Sequence, residues 1–429
     1  MIAVLLIVLF GLLALGLPVA AVLAVCALVL DHWFSFFPVM PAIGELIWSG
    51  SSSFALTAVP LFILTGEVLL NSGVAARMFK SIDSWVRVIP GGMLHSIVGS
   101  SALFAATSGS SVATAATIGT VSIPQMKPGG YAPPLFLGTI AAGGTLGILI
   151  PPSINMIIYG VLAEVSIGRL YLAGMIPGII LALLFSGLIV IITLWQTRAI
   201  KIVVPETSWK ERISVLPGIV PPIMLFVLMV GSIYLGIATP TEAAALGFIG
   251  AVAMTAFNGG FSAAMMMRAF ERTIRTTCMV MLIVLCAQIL NFAMVGVGLA
   301  EQIRTFVGGI DAPPIVILIC IVLTYLVLGC FMESLSLMIA TTPIVVPIII
   351  ALGYDPIWFG VVFMILIEAA LITPPIGMNL FVVQSVRGEG SFNDVARGAA
   401  PFVLAMLVMI ALLVAFPGLA MWLPSYVRG

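Results

Sequence analysis

Six stretches of this chain, 3–16, 18–30, 172–195, 215–238, 276–298 and 400–423, contain no charged side chain, and two further apolar blocks, 54–72 and 240–257, contain one each. Such blocks leave few ways to fold. In hydrocarbon every backbone N–H and C=O needs a partner within the chain, and only helices and closed barrels supply it. The blocks are continuous rather than alternating, which excludes a transmembrane β-barrel. Only 7% of the 429 residues are charged, against roughly 25% in a soluble domain, so a water-soluble enzyme is excluded as well. Sixteen basic residues offset sixteen acidic ones, which leaves no basic surplus for nucleic acid. The sequence therefore predicts an all-α polytopic membrane protein.

A span needs about 20 apolar residues. On that rule the runs near 3–16, 18–30, 54–72, 172–195, 215–238, 240–257, 276–298 and 400–423 are candidate spans. The N-terminal MIAVLLIVLF has no basic stretch of the kind that opens a secretory signal and reads as the first span. Four other apolar stretches, 92–126, 131–166, 313–350 and 357–386, are interrupted by Gly, Ser, Thr and Pro. Cys26, Cys278, Cys286, Cys320 and Cys330 lie in apolar runs without metal spacing and read as small buried hydrophobes.

The interruptions are duplicated. Leu149-Ile150-Pro151-Pro152-Ser153-Ile154-Asn155 resembles Leu371-Ile372-Thr373-Pro374-Pro375-Ile376-Gly377, with the Pro-Pro pairs 223 residues apart. The same offset carries Thr107–Ser111 onto Cys330–Ser334 and Gly73 onto Gly296, while Pro18 and Pro240 differ by 222. These landmarks predict two structural repeats, 1–200 and 213–429. Each is expected to hold about five spans plus one re-entrant hairpin. Five is odd, so the second repeat is expected to be inverted relative to the first. With the N-terminus outside, Arg77, Lys80, Arg87, Lys127, Arg198, Lys201, Lys210, Arg212, Arg268, Arg272, Arg275, Arg387 and Arg397 fall on the cytoplasmic side. Only Arg169, Arg304 and Arg428 fall outside, a positive-inside pattern. Asp31, Asp311 and Asp355 fall outside too. Residues 258–275 read as an interfacial amphipathic arm, with a weaker counterpart at 42–53.

Paired helix breaks in inverted repeats are the pattern of secondary transporters, whose sites form where backbone is unwound within the membrane. Pro151 and Pro152 lack N–H donors, which leaves the carbonyls of Gly147 and Ile148 without partners. Together with the hydroxyls of Thr145 and Ser153 these are hard oxygen ligands suited to an alkali cation. Pro374 and Pro375 repeat the logic at Ala370 and Leu371, with Thr373 and Asn379 as side-chain oxygens. The hydroxyl-rich run 104–114 is expected at one hairpin tip, and Gly329–Ser334 at the other, where Glu333 adds an ionisable group at membrane depth. Close helix packing through small residues is the competing reading of the first tip, and capping of backbone N–H groups that of Glu333. Glu67 and Glu368 also sit in apolar runs. Thr239-Pro240-Thr241-Glu242 predicts a capped helix start. His32 and His95 are isolated, and no hydrolase, zinc-protease or P-loop pattern occurs.

Six ordered blocks, PLFILTGEVL (60–69), FAATSGSSVATAATIG (104–119), AAGGTLGILIPPS (141–153), ATPTEAAA (238–245), LGCFME (328–333) and LITPPIGMNLF (371–381), resemble the large membrane subunit of TRAP (tripartite ATP-independent periplasmic) transporters. The resemblance covers essentially the whole chain. It implies an elevator-type transporter of the bacterial inner membrane, coupled to Na+, that imports a small organic acid such as sialic acid or a C4-dicarboxylate. The implied partners are a small four-helix membrane subunit and a periplasmic substrate-binding protein. One sodium site would use Ser108, Ser110 and Ser111 with Gly144, Gly147 and Pro151, and another Gly329 and Met332 with Thr373 and Met378. Substrate is expected between the tips, near Ser108, Gly109, Ser153, Glu333, Ser334 and Asn379. The resulting division is scaffold 1–91, transport domain 92–196, cytoplasmic linker 197–214, scaffold and arm 215–312, and transport domain 313–429. Two rival readings are a standalone ion-coupled organic-anion symporter and, more remotely, a membrane-embedded enzyme.

Overall fold

The computed structural model describes residues 1–35, 38–196, 208–309 and 312–426. Arg198, Lys201, Asp311, Arg428 and residues 197–207 of the expected linker lie outside them. Among the described residues every regular element is helical. The first repeat contains α1 (Ile2–Ala14), α2 (Val19–Phe34), α3 (Ile43–Ser51), α4 (Ala58–Leu70), α5 (Val74–Val86), α6 (Met93–Ser108), α7 (Ser111–Ser122), α8 (Pro133–Leu149), α9 (Ile154–Leu162) and α10 (Ile167–Gln196). Then follow α11 (Trp209–Val215), α12 (Val220–Phe226), α13 (Ser232–Tyr234), α14 (Pro240–Phe257), α15 (Ala263–Gly296), α16 (Leu299–Gly308), α17 (Pro314–Gly329), α18 (Ser334–Ala351), α19 (Pro356–Leu371), α20 (Met378–Arg387), α21 (Phe392–Ala415) and α22 (Gly418–Tyr426). Five of these helices are long and apolar enough to cross a membrane, or eight if each bent pair counts as one span.

The duplication is carried into the packing. α7 and α18 begin at 111 and 334, and α8 and α19 at 133 and 356, 223 residues apart in both cases. α7 packs on α20 as α18 packs on α9, and α4 packs on α14 as α2 packs on α15. α8 lies along α21 as α19 lies along α10, so corresponding helices exchange partners between the halves.

Local chemistry sets the helix ends. Ser110, Ser153 and Ser262 each accept a backbone N–H of the first turn of α7, α9 and α15, satisfying a donor that the helix cannot. Thr239 and Glu242 form the expected capping box at the start of α14. The hairpin arms are short: α6 has 16 residues and α7 has 12, about 24 and 18 Å at 1.5 Å per residue. Neither reaches across a hydrocarbon core of about 30 Å, as a re-entrant turn requires. Two boundaries differ from expectation. The arm at 258–275 is no separate element, because 263–295 contains neither Gly nor Pro and the helix runs unbroken to Gly296. The last apolar run, 400–423, divides at Phe416, whose φ of −131° and ψ of 74° lie outside the helical region, which the following proline disfavours.

The core lies in the paired broken helices. Every residue from Ile357 to Leu371 of α19 is buried, as is Phe136–Leu149 of α8. α8 and α21 meet backbone to backbone, and a Cβ on Gly398 would stand 1.7 Å from the Pro134 carbonyl oxygen.

Candidate functional site

The first hairpin turns at Gly109, whose φ of 62° is left-handed and favours a residue without a Cβ. Beyond it the tip is knitted together by hydroxyls. Thr114 Oγ1 donates to the Ser110 carbonyl at 2.7 Å and lies 3.2 Å from Ser108 Oγ. The tip presses against the first helix break. A Cβ on Gly109 would lie 2.9 Å from the Pro152 carbonyl oxygen, and one on Gly147 would lie 3.2 Å from the Ser110 carbonyl oxygen. Gly144 admits Ala115 of α7 in the same way, at 2.7 Å from a built Cβ. Ser110, Ser111, Gly144 and Gly147 are therefore brought together, with Pro151 four residues beyond Gly147.

At this break the last rung of α8 is the Ile150 N–H to the Leu146 carbonyl, 2.9 Å. Pro151 and Pro152 then supply no donor for Gly147 and Ile148. Residues Ile150 to Ser153 are all buried.

The second break is built differently. Thr373 N–H bonds the Ala370 carbonyl at 3.2 Å, and Thr373 Oγ1 donates to the Ala369 carbonyl at 2.6 Å. The Ala370 carbonyl is thus not free, contrary to the sequence expectation, because the chain tightens by one residue before the prolines. The break is tied to its own tip by the Ile376 N–H to the Cys330 carbonyl, 3.3 Å, and by Gly329, where a Cβ would stand 2.1 Å from Ala370 Cβ. Pro374, Pro375, Ile376 and Met378 are exposed, so the second break opens where the first is closed.

The two tips share one cavity of about 160 Å³. Ser108, Gly109, Ser110 and Ser111 line one side and Glu333 and Ser334 the other, with Asn155 from α9 and Glu67 and Thr276 from α4 and α15. Glu333 caps α18: its carboxylate accepts Ser336 N–H at 2.9 Å and Ser334 Oγ–H at 3.0 Å. Ser153 and Asn379 do not line this cavity. Ser153 caps α9, and the fully buried Asn379 donates from Nδ2 to the Ala141 carbonyl at 3.2 Å. Gly144, Gly147, Pro151, Gly329, Met332, Thr373 and Met378 are not among the lining residues. Asn155, whose Nδ2 is buried without a partner, was not among the expected site residues. Its place one turn after the Pro-Pro pair is the signal that marks it.

In overall fold the chain is similar to the YdaH transporter of Alcanivorax borkumensis, with a TM-score of 0.67 and 15% identity over 95% of this chain and 97% of that one. This likeness defines the fold, an all-helical multi-pass architecture. The chain belongs to the DctM family, the DctM component of tripartite ATP-independent periplasmic transporters, whose sequence model matches residues 6–419. It is 33% identical over 451 aligned residues to the C4-dicarboxylate TRAP transporter large permease protein DctM of Vibrio cholerae, covering 100% of this chain and 98% of that one. It is 32% identical over 425 residues to the sialic acid TRAP transporter large permease protein SiaM of the same species, covering 98% and 97%. The resemblance read from the six sequence blocks is thereby borne out.

Proposed function

We propose that this chain is the large subunit of a Na+-coupled, binding-protein-dependent importer of small organic acids in the bacterial inner membrane. The observation that carries this reading is the single cavity where both hairpin tips meet beside the first helix break. Its lining of serine hydroxyls and the proline-freed carbonyls of the break against which the first tip packs are the ligand types that replace the hydration shell of an alkali cation. The residues present fit such an ion. Ser108, Ser110 and Ser111 with Gly144, Gly147 and Pro151 would hold one Na+, and Gly329, Met332, Thr373 and Met378 a second. The names of the relatives favour a C4-dicarboxylate or sialic acid as cargo.

The tripartite family description supports two partners, a small membrane subunit and a periplasmic substrate-binding protein. Hairpins and broken helices would move as one body against a scaffold that includes α4 and α15, an elevator motion. The test is uptake of labelled succinate or N-acetylneuraminate into proteoliposomes holding the large and small subunits, with binding protein outside and an inward Na+ gradient. Uptake should collapse when the gradient is dissipated, and persistence would overturn the coupling. Uptake that survives omission of the binding protein would favour a standalone symporter.

A further inference from the structure

The cavity poses an electrostatic problem for anionic cargo. Its lining contains two carboxylates, Glu67 and Glu333, and no Lys, Arg or His. Glu333 is engaged by its capping bonds. Glu67 is not so engaged: its Oε2 is shut off from solvent and lacks a hydrogen-bond partner. The nearest cation is Arg272, with Nη1 3.6 Å from that oxygen, too far for a hydrogen bond. Arg272 stands four residues before Thr276 on α15, so the two side chains share a helix face, and Thr276 lines the cavity. The Arg272 side chain is 63% exposed and that of Glu67 19%, so the cation has more room to turn than the carboxylate. Of the neighbouring arginines, Arg275 turns to Glu271 and Arg77 to Asn258.

We propose that Arg272 is a carboxylate-binding residue of the transport site, and that Glu67 competes for it. This inference rests on the organic-anion reading above and names the group that meets the anion. The guanidinium has five N–H donors in a fork that fits a carboxylate at two points, and the long contact with Glu67 uses none of them well. Cargo entering between the tips offers the better-shaped partner. Glu67 remains alongside as a like charge that weakens the hold on the anion and favours its release.

The experiment is equilibrium titration of the purified complex of large and small subunits with succinate and with N-acetylneuraminate at constant NaCl. Arg272→Ala should weaken binding by about tenfold or more, the scale of one charge-assisted bond, and Arg272→Lys by less. Glu67→Gln should tighten it several-fold. Arg272 is largely exposed and Glu67→Gln is isosteric, so unchanged melting temperatures check that both variants fold. Unaltered affinity in Arg272→Ala overturns the inference alone. Weakening by Glu67→Gln as large as that by Arg272→Ala would make the pair a structural tie and also overturn it. Absence of binding of either acid to the unmodified complex overturns the cargo assignment, and the inference with it.

Discussion

Gly66 of α4 meets the backbone of Ser108 at the first hairpin tip: a Cβ at Gly66 would stand 3.0 Å from the Ser108 carbonyl oxygen. α4 and the first hairpin tip therefore touch without intervening side chains. Gly66→Ala sets two effects against each other. Alanine in a helix interior is favoured over glycine by about 1 kcal/mol, while the added methyl pushes the tip by a few tenths of an ångström. Melting temperature should hold or rise, and uptake should fall several-fold. Thermal unfolding paired with a transport assay checks the opposite signs, and undiminished uptake would mean that the tip position is not critical.

The crossing of α8 and α21 has no such tolerance. A Cβ on Gly398 would lie 1.7 Å from the Pro134 carbonyl oxygen, whereas one on Gly187 would meet nothing within 4 Å. Backbone cannot yield as a flexible side chain does, and overpacking costs about 1–3 kcal/mol or more. Gly398→Ala should abolish folded protein in size-exclusion profiles, and Gly187→Ala should leave profile and melting temperature unchanged or improved.

Removing tip and break hydroxyls tests the ion assignments. Ser110 caps α7, so Ser110→Ala should cost about 1 kcal/mol of stability besides raising the Na+ concentration needed for half-maximal uptake. Thr373→Ala removes a hydroxyl bonded back to Ala369 and should raise the Na+ requirement with little change in stability. Unchanged Na+ dependence in both variants would remove the hydroxyls from the ion sites.

Far from the cavity, Lys127 Nζ lies 2.6 Å from Glu389 Oε1, joining the loop after the first hairpin to the loop after α20. The Lys127 ammonium, hydrogen-bonded and opposite in charge, holds the Glu389 carboxyl below its ordinary range. A depressed carboxylate contributes stability above its unfolded-state pKa and loses it as pH falls through its folded-state value. Lys127→Met should therefore lower the melting temperature slightly at neutral pH and not at all in strong acid. The pair is exposed, and 1 M salt should shrink the neutral-pH difference. A pH-independent difference would refute the ion-pair origin.

Much of this architecture was legible in one sequence because its markers are local. Pro151-Pro152 and Pro374-Pro375 interrupt helices wherever they occur, and their 223-residue spacing reappears at the starts of α7 and α18 and of α8 and α19. The capping box at Thr239 and Glu242 is equally local. What escaped detection joins residues distant in the chain. The approach of Arg272 to Glu67 depends on how α15 lies beside α4, which hydrophobic blocks without a directional pattern do not encode. The bond from Asn379 Nδ2 to Ala141 likewise crosses from one repeat to the other, while the Asn379 Oδ1 expected as a site oxygen is buried without a hydrogen-bond partner. The Ala370 carbonyl was misread for a different reason: loss of a proline donor frees an acceptor only if the preceding N–H groups do not shift to reach it, and Thr373 does shift.

The unbroken α15 also serves as a depth gauge. Its 34 residues make a rod of about 51 Å, far longer than the roughly 30 Å of hydrocarbon it would cross upright. The charge-free part begins at Thr276, with Arg272 and Arg275 in the turn before it. Since Thr276 lines the cavity, the chamber between the two tips stands level with the start of the charge-free part of α15. An anion held there has Arg272 and Arg275 within a single helical turn of the wall it touches.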